Sequence, residues 1–261
     1  RGEAVGQLFG DHPVTAVFHL AAQSQLGAAA RAPRETLEAN ARGTWNVLEA
    51  VREAGEAIPV VLASSDAVYG RPVELPFREE SALDGSHPYD VSKILSELSG
   101  RMYWRQYGVP VCALRMSNLY GGGDRNLGRI VPGTILAVRR GERPVIRGDG
   151  NAERDFLYVE DAVEGYLALA EAMRGSRVSG EAFNLSSGQP VSTRRLVETI
   201  LEVMNRKDLQ PEILNQPSTE PPVKYSSPRK AKETFGWSAR TPLREGLRRT
   251  AGWYEQASPE S

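Results

Sequence analysis

Short apolar runs alternate along this chain with longer segments in which apolar residues recur every three or four positions. The short runs are rich in valine and leucine and are bounded by polar residues, which is typical of buried strands. We predict strands at residues 14–20, 60–63, 109–115, 145–147 and 182–186. The longer segments predict amphipathic helices at 34–52, 88–107, 158–173, 193–206, 228–235 and 242–256.

This alternation of strands and helices indicates an α/β fold in which a parallel sheet is covered on both faces. Residues 6–11 are predicted to be the end of a helix and a turn, and the proline-rich segment 211–228 is predicted to be irregular with one brief strand. We expect about the last five residues to fray, because chain ends are often poorly ordered.

Oxygen-bearing side chains follow the apolar run 60–63, at the point where a parallel sheet would present them at its carboxyl edge. They are Ser64, Ser65 and Asp66. Farther along, Tyr89 and Lys93 are four residues apart on a predicted helix, so they share a face with about 5–6 Å between their Cβ atoms. A phenol beside an ammonium group suits proton transfer, because the positive charge stabilises the phenolate and lowers the pKa of the tyrosine.

The charge balance and the cysteine content argue against several classes of protein. With 32 basic and 33 acidic residues, the 261-residue chain has no basic field for nucleic acid and no polybasic tail for a membrane. No apolar run reaches the ~18 residues that span a bilayer, and the scattered histidines form no metal-binding pattern. The single cysteine, Cys112, is predicted to be a core residue and can form no internal disulfide. We therefore expect a cytoplasmic protein without metal, nucleic-acid or membrane partners.

Several motifs resemble one enzyme family when they are taken together. SSDAVYG carries Ser65, YDVSK carries Tyr89 and Lys93, NARGT carries Asn40 and Thr44, and GDGNAERDFLYVED carries Arg154. A YxxxK pair alone is a weak signal, but this combination is similar to the extended short-chain dehydrogenase/reductase family, the nucleotide-sugar epimerases and dehydratases. The resemblance runs from about residue 14 to residue 254.

The resemblance implies a doubly wound, Rossmann-like parallel sheet that binds NAD, with a smaller C-terminal α/β domain for the substrate. On this basis residues 1–118 and 155–186 form the NAD-binding domain, and 119–154 and 187–261 form the nucleotide-sugar-binding domain. The family's first unit carries GxxGxxG, which this sequence lacks, and the strand at 14–20 looks like the family's fourth strand. We therefore expect an incomplete sheet with an uncovered edge, and a fragment of a longer gene product.

The resemblance also implies roles for the residues at the sheet edge. Tyr89 would be the base that takes the sugar hydroxyl proton, Lys93 would lower the tyrosine pKa and bind the nicotinamide ribose, and Ser65 would hold the hydroxyl. Asp66 would protonate the leaving hydroxyl in a dehydratase. Besides Tyr89 and Lys93, the implied NAD contacts are Leu20, Ala21, Ala22, Asn40 and Ser64.

The implied partners are a nucleotide-diphosphate sugar and a second copy of the chain. The implied substrate contacts are Asn118, Arg129, Arg154 and Asn184. A guanidinium fork suits two phosphate oxygens, so Arg154 is assigned to the pyrophosphate. From the residues alone, Asn40 and Arg154 could also be ordinary surface residues, and the glycines at 121–123 either approach a ligand or form a flexible turn. The homodimer would form through the helices that contain Thr44 and Tyr89.

The predicted activity is that of an NAD-dependent 4,6-dehydratase, which oxidises carbon 4, eliminates water across carbons 5 and 6, and returns the hydride. The stretches NLYGGGDRNLGRIVPGTI and KYSSPRKAKETFGW resemble CDP-glucose 4,6-dehydratases. Ala67 stands where related dehydratases carry the glutamate that removes the carbon 5 proton, and a methyl group cannot do so. A 4-epimerase or reductase therefore stays open, as does an inactive chain or one that only binds nucleotide sugar.

Overall fold

The described part of the chain, residues 2–55, 57–175, 178–218 and 220–256, contains eleven strands and ten α-helices in this computed structural model. The strands are β1 (Val17–His19), β2 (Val60–Ser65), β3 (Val111–Met116), β4 (Asn118–Tyr120), β5 (Val145–Ile146), β6 (Glu153–Arg154), β7 (Phe156–Tyr158), β8 (Ala182–Leu185), β9 (Val191–Ser192), β10 (Glu212–Ile213) and β11 (Val223–Lys224). The helices are α1 (Gly2–Asp11), α2 (Leu26–Arg31), α3 (Pro33–Leu37), α4 (Gly43–Ala54), α5 (Pro88–Tyr107), α6 (Ile130–Arg139), α7 (Val159–Gly175), α8 (Thr193–Val203), α9 (Arg229–Phe235) and α10 (Leu243–Gln256). The expected fraying concerns residues 257–261, which lie outside the described residues.

The centre of the molecule is a four-stranded, all-parallel sheet in the order β1-β2-β3-β8. β2 and β3 lie in the middle, and most of their residues are buried, as expected for strands that are covered on two faces. β1 forms one edge and pairs with no other described strand on its outer side. The predicted fold class is confirmed, since this is a Rossmann-like α/β sheet with helices on both faces.

One face of the sheet is covered by α4 and α5. Together with the strands they bury an apolar cluster of Leu48, Val51, Ile58, Val60, Leu62, Tyr103, Val109, Val111 and Ala113. α5 comes close to the sheet at Gly100, where a Cβ atom would lie 2.9 Å from the Leu62 side chain and 3.1 Å from Val111. This close approach fixes the position of α5, the helix that carries Tyr89 and Lys93.

The opposite face is covered by α7 and α9. The apolar cluster on this side includes Val61, Cys112, Leu114, Leu169, Phe183 and Trp237. Val60 and Leu62 point to the first face while Val61 points to the second, as the two-residue period of a strand requires. Cys112 is a core residue, as predicted, and burial raises the pKa of its thiol to about 12.

Three further helices, α6, α8 and α10, pack around a third apolar cluster. Its members include Tyr120, Ile135, Leu196, Leu247 and Tyr254. Three small sheets accompany these helices: β4 pairs with β7, β5 pairs with β10, and β6 lies between β9 and β11. β11 runs parallel to β6, with Lys224 opposite Arg154.

The structure differs from the predicted elements where polar contacts intervene or strands are very short. The predicted helix at 34–52 is divided by a π-helical turn at Glu38–Arg42. In that turn the carbonyl of Asn40 accepts hydrogen bonds from the hydroxyls of Thr44 and Ser96, at 2.6 and 3.2 Å. The predicted turn at 6–11 is part of the helix α1. Strands of two or three residues are too short to show a periodicity, so most of the small sheets have no counterpart in the prediction.

Candidate active site

Ser65 and Asp66 lie together at the carboxyl end of β2. The backbone turns there into a 3₁₀ helix, Asp66–Tyr69, which the Ser65 hydroxyl caps by accepting a hydrogen bond from the Ala67 amide at 3.2 Å. Asp66 is buried, and its Oδ1 atom lies 3.4 Å from the Ser65 hydroxyl and 3.1 Å from the Lys224 ammonium. The cap and the ion pair fix both side chains at the sheet edge.

Tyr89 and Lys93 reach the same edge from the first two turns of α5. His87 and Asp90 form a capping box that starts this helix. The Lys93 ammonium lies 5.9 Å from the centre of the Tyr89 ring and donates a hydrogen bond to the Ala63 carbonyl at 2.7 Å. The two side chains therefore share a face that is turned toward β2.

Burial raises the pKa of Tyr89, because a phenolate is poorly solvated inside the protein. The Ser65 hydroxyl is a hydrogen-bond partner of the phenol and opposes this rise. The sequence predicts that Lys93 lowers the Tyr89 pKa, but the structure gives a raised value in which Lys93 is not among the principal causes. The physical reason is that the phenol is buried, while the ammonium is directed at the Ala63 carbonyl.

Charged side chains from separate segments also act on the phenol. Arg129, which precedes α6, lowers the Tyr89 pKa, whereas Asp66 and Asp90 raise it. Burial raises the pKa of Asp90, and the positive charge of Lys224 opposes that rise. The charges that act on the phenol thus come from the 3₁₀ helix after β2, from α5 and from the segment before α6.

Lys93 is only 6% exposed, so its charge is stabilised by the protein rather than by water. Burial lowers the pKa of Lys93 to about 8, and the Glu97 carboxylate opposes this fall. Burial also lowers the pKa of His19, and the Lys93 charge lowers it further. Lys93 therefore lies near the ends of both β1 and β2.

A buried polar network that the sequence analysis missed lies beneath these residues. Glu97, one helical turn after Lys93, accepts a hydrogen bond from the Ser64 hydroxyl and forms an ion pair with Arg115 at 2.6 Å. Arg115 also donates to the Tyr69 hydroxyl at 3.0 Å. Ser64 is buried and its hydroxyl joins β2 to α5, so this hydroxyl is not available for the predicted NAD contact. The available signal was the spacing of four residues between Lys93 and Glu97.

The Asn40 side chain joins two segments of the chain by hydrogen bonds inside the protein. Its side chain accepts a hydrogen bond from the Gln23 amide at 2.7 Å, and it donates to the Gln23 carbonyl at 3.0 Å and to the Ser92 hydroxyl at 2.8 Å. The side chain is 1% exposed, and these contacts engage its polar atoms, which leaves no group for the predicted direct NAD contact. Asn40 instead ties the segment with Ala21 and Ala22 to α5.

The segment after β1 has little side-chain bulk, as a segment in contact with the nicotinamide end of NAD would need. Leu20 is 59% exposed, Ala21 is exposed and Ala22 is half-buried, so this edge carries little side-chain bulk. Lys93 and Tyr89 supply an ammonium and a phenol at the neighbouring strand end. These residues fit the nicotinamide and its ribose, while the sequence has no GxxGxxG for the adenosine end.

Three of the predicted substrate residues lie on separate segments. Arg154 on β6 donates to Glu220 at 2.8 Å, and 15% of its side chain is exposed. Arg129 pairs with Asp124 at 3.1 Å and is close enough to Tyr89 to affect its pKa. Asn118 is exposed at the start of β4. Of the three, only Arg129 is tied to the phenol by an interaction in this structure.

Asn184 is a structural residue, contrary to its predicted contact with substrate. It is fully buried in β8, its side-chain oxygen accepts a hydrogen bond from the Tyr69 hydroxyl at 2.7 Å, and its nitrogen donates to the carbonyls of Phe77 and Ser227 at 3.3 Å. These bonds use the polar atoms of its side chain within the protein. The amide joins β8 to two loops instead of facing a ligand.

The glycine-rich loop at 121–123 packs against the protein itself. A Cβ atom on Gly121 would collide with Val159, and one on Gly122 would collide with Trp253. Gly123 has a φ of +81°, which favours glycine. Packing and backbone conformation therefore explain all three glycines without a ligand.

Neither a metal site nor a membrane span is found in the described residues. They contain no group of three or more histidine, cysteine, aspartate and glutamate side chains that could hold a metal ion. Among the same residues, no helix combines the length and the apolar character that crossing a bilayer requires.

Comparison with known proteins groups this chain with nucleotide-sugar enzymes. A family model described as GDP-mannose 4,6-dehydratase matches residues 2–250. Human dTDP-D-glucose 4,6-dehydratase is 27% identical over 256 residues, which cover 95% of this chain and 71% of the human protein. A UDP-glucuronate 4-epimerase from Thermodesulfobacterium geofontis is 30% identical over 260 residues, which cover 97% of this chain and 76% of that protein.

Solved structures show the same mixture of activities. UDP-glucose 4-epimerase from Thermotoga maritima, crystallised with UDP-glucose, matches with a TM-score of 0.90 at 27% identity. The match covers 98% of this chain and 82% of the epimerase chain. A double mutant of dTDP-glucose 4,6-dehydratase from Streptomyces venezuelae, crystallised with NAD, matches with a TM-score of 0.86 at 25% identity and covers 98% of this chain and 77% of its own. Because dehydratases and epimerases match similarly well, similarity alone does not separate the two activities.

Proposed function

The chain belongs to the extended short-chain dehydrogenase/reductase family of NAD-dependent nucleotide-sugar epimerases and dehydratases, and from that membership we propose that it oxidises carbon 4 of the sugar in a nucleotide-diphosphate sugar. The observation that carries this proposal is the meeting of Ser65, Tyr89 and Lys93 at the carboxyl end of β2. The removal of a proton from a sugar hydroxyl is favoured by this combination of a serine hydroxyl, a phenol hydrogen-bonded to it and a buried ammonium group.

Each of the three residues has a separate task in this proposal. Tyr89 takes the proton of the carbon 4 hydroxyl. Ser65, which is hydrogen-bonded to the Tyr89 phenol, orients that sugar hydroxyl beside the phenol. Lys93, with a pKa of about 8, is protonated at neutral pH and supplies positive charge near the phenolate that forms. Because burial raises the Tyr89 pKa, the resting phenol is neutral and ionises only when positive charge favours the phenolate.

NAD would be held at its nicotinamide end by the residues that follow β1 and begin α5. When bound, it supplies the acceptor for the hydride that leaves carbon 4. Leu20, Ala21 and Ala22 would lie along it, and Lys93 and Tyr89 would bind its ribose. Asn40 would act indirectly by keeping the loop after β1 against α5.

The nucleotide diphosphate would be bound by cations outside the central sheet. Arg154 would bind the pyrophosphate, and its present partner Glu220 is well exposed and free to move into solvent. Arg129 would approach the phosphate nearest the sugar, since its charge already acts on Tyr89. Asn118 would add an amide at the start of β4.

A 4,6-dehydratase is the first candidate for the complete reaction. The favouring observation is Asp66, which is buried next to Ser65 and acts electrostatically on Tyr89, where a carboxyl group could serve the departing carbon 6 hydroxyl. Ala67 provides no base for the carbon 5 proton, so Tyr89 would release the first proton to solvent and then, as phenolate again, remove the second.

A 4-epimerase is the second candidate, favoured by Ala67 and by the ion pair of Asp66 with Lys224. An epimerase needs neither a base at carbon 5 nor an acid at carbon 6, because the 4-keto sugar only turns and takes the hydride back on its other face. A carboxylate held by an ammonium suits the acceptance of a hydrogen bond better than the donation of a proton.

Product analysis separates the two candidates. The protein is incubated with NAD and, in turn, UDP-glucose, dTDP-glucose, CDP-glucose and GDP-mannose, and the sugars are identified by nuclear magnetic resonance. A 4-keto-6-deoxy sugar supports the dehydratase, and the 4-epimer of the substrate supports the epimerase. Unchanged sugars in every case, with no NADH formed, would contradict carbon 4 oxidation of these substrates.

We further propose that two copies pair through α4 and α5. The two helices carry large apolar side chains that are 40–44% exposed, namely Trp45, Leu95, Leu98 and Met102. Leu95, Leu98 and Met102 recur at intervals of three and four residues and therefore lie along one side of α5. A second copy would cover this apolar face.

A further inference from the structure

Lys224 links the small sheets to the proposed active site. Its ammonium lies 3.1 Å from Oδ1 of Asp66, and only 17% and 8% of the two side chains are exposed. The backbone on either side is held, because Lys224 is opposite Arg154 in the ladder of β11 with β6, and the Tyr225 carbonyl accepts a hydrogen bond from the Phe77 amide at 3.0 Å. The ion pair thus joins two anchored segments, unlike a pair of flexible surface side chains.

Among the described residues, one oxygen atom of Asp66 finds no hydrogen-bond partner. Oδ1 faces both the Lys224 ammonium and the Ser65 hydroxyl, whereas Oδ2 is buried and accepts no hydrogen bond from the described residues. An unpartnered carboxylate oxygen in the interior is unfavourable, and native structures leave few of them. A ligand that brings a hydrogen-bond donor would remove this cost.

The position of this carboxylate indicates which donor would reach it. Asp66 follows Ser65 directly, and its charge acts on the Tyr89 phenol. A hydroxyl held by Ser65 and Tyr89 belongs to a sugar ring, so the nearest further donor is another hydroxyl of the same ring. The side chains of two paired residues in a parallel sheet point to the same face, and their strands lie about 4.8 Å apart. Arg154 and Lys224 would therefore serve adjoining parts of one ligand, the diphosphate and the sugar.

We propose that Lys224 is a substrate-positioning residue, which holds Asp66 so that its Oδ2 atom accepts a hydrogen bond from a second hydroxyl of the bound sugar. This inference rests on the proposed binding of a nucleotide-diphosphate sugar. It assigns the ion pair to recognition of the sugar, and it leaves the nucleotide and its phosphates to other side chains.

Calorimetric titration of this chain tests the assignment. UDP-glucose, dTDP-glucose, CDP-glucose and GDP-mannose are titrated first, together with the four nucleoside diphosphates that lack the sugar. The conjugate that the wild-type chain binds most tightly, and its diphosphate, are then titrated into Lys224→Met. We expect the affinity for the conjugate to fall by about tenfold or more, as for the loss of a hydrogen bond to a charged group, and the affinity for the diphosphate to be unchanged.

Matched variants separate positioning from loss of structure. Lys224→Arg keeps the charge and should restore most of the affinity for the conjugate, whereas Lys230→Met breaks a different ion pair, with Glu181, and should change neither affinity. The double variant D66N/K224M leaves no unpaired charge, so it carries the test if thermal melting shows that Lys224→Met is unfolded. It should bind the conjugate as weakly as Lys224→Met binds it.

Two results would overturn the inference. The first is that a folded variant without Lys224 binds the conjugate as tightly as the wild-type chain does. The second is that the variant loses affinity for the conjugate and for the diphosphate to the same extent. A wild-type chain that binds none of the four conjugates would instead overturn the proposed function, and the inference with it.

Discussion

At the scale of single residues, burial acts on the two central groups in the same sense, because it favours the neutral form of each. It raises the pKa of Tyr89 and lowers that of Lys93 to about 8. Neighbouring groups oppose both changes. The Ser65 hydroxyl lowers the pKa of Tyr89, and the Glu97 carboxylate raises the pKa of Lys93. The site is therefore close to losing its cation at mildly alkaline pH, which has a measurable consequence.

We predict a rate of carbon 4 oxidation that rises with pH up to about 8 and then levels off. The rise follows the growing phenolate fraction of Tyr89. Above the Lys93 pKa of about 8, the loss of the Lys93 proton offsets the further ionisation of Tyr89, whose own pKa is raised by burial. Lys93→Arg keeps its charge at alkaline pH, so its rate should keep rising above pH 8 even if its overall rate is lower. First-turnover NADH formation across neutral and alkaline pH provides the measurement. The same levelling in Lys93→Arg would assign it to another group.

The sequence predicts the residues of the site better than it predicts their contacts. Ser65, Asp66, Tyr89 and Lys93 lie at one sheet edge because a strand end and a helical spacing of four are local features. Ser64, Asn40 and Asn184 carry polar groups of the kind that bind ligands, and each of them uses those groups inside the protein. Their partners come from distant parts of the chain, which a motif does not reveal.

At the scale of elements, α5 organises the site. The capping box at His87 fixes where the helix begins, Gly100 brings it against β2 and β3, and the Glu97–Arg115 ion pair joins it to β3. Its observed bounds, Pro88–Tyr107, are those that the sequence predicts, because a proline at the start and a long apolar period are strong signals. The same helix presents its exposed apolar side away from the sheet.

We predict that a charge on this exposed side separates two copies of the chain. Leu98→Glu places a carboxylate in the proposed contact between α4 and α5 of the two copies and should shift the protein from dimer to monomer. Leu167→Glu, at an apolar position on α7 that is even more exposed than Leu98, should have no such effect. Sedimentation equilibrium measures the mass of each variant. A wild-type chain that is monomeric, or a Leu98→Glu variant that stays dimeric, would rule out this interface.

At the scale of the whole molecule, the site forms where the central sheet meets the small sheets. The end of β2 and the start of α5 carry Ser65, Tyr89 and Lys93, while β6 and β11 carry Arg154 and Lys224, the residues that we propose contact or position the substrate. The central sheet could be predicted, because its buried strands are continuous apolar runs between helices of clear period. β6 and β11 have two residues each, so neither their pairing nor the ion pair of Lys224 with Asp66 could be predicted.

The most direct test of carbon 4 oxidation by this site is the first-turnover reduction of NAD by a bound nucleotide sugar. Wild type, Tyr89→Phe and Tyr107→Phe are compared by NADH absorbance after addition of the substrate. We predict that Tyr89→Phe lowers the rate by about a hundredfold or more, as expected for the loss of a general base. Tyr107→Phe, which removes an exposed phenol at the other end of α5, should leave the rate unchanged. An undiminished rate of NADH formation in Tyr89→Phe would contradict the role of Tyr89 as the base and the proposed function with it.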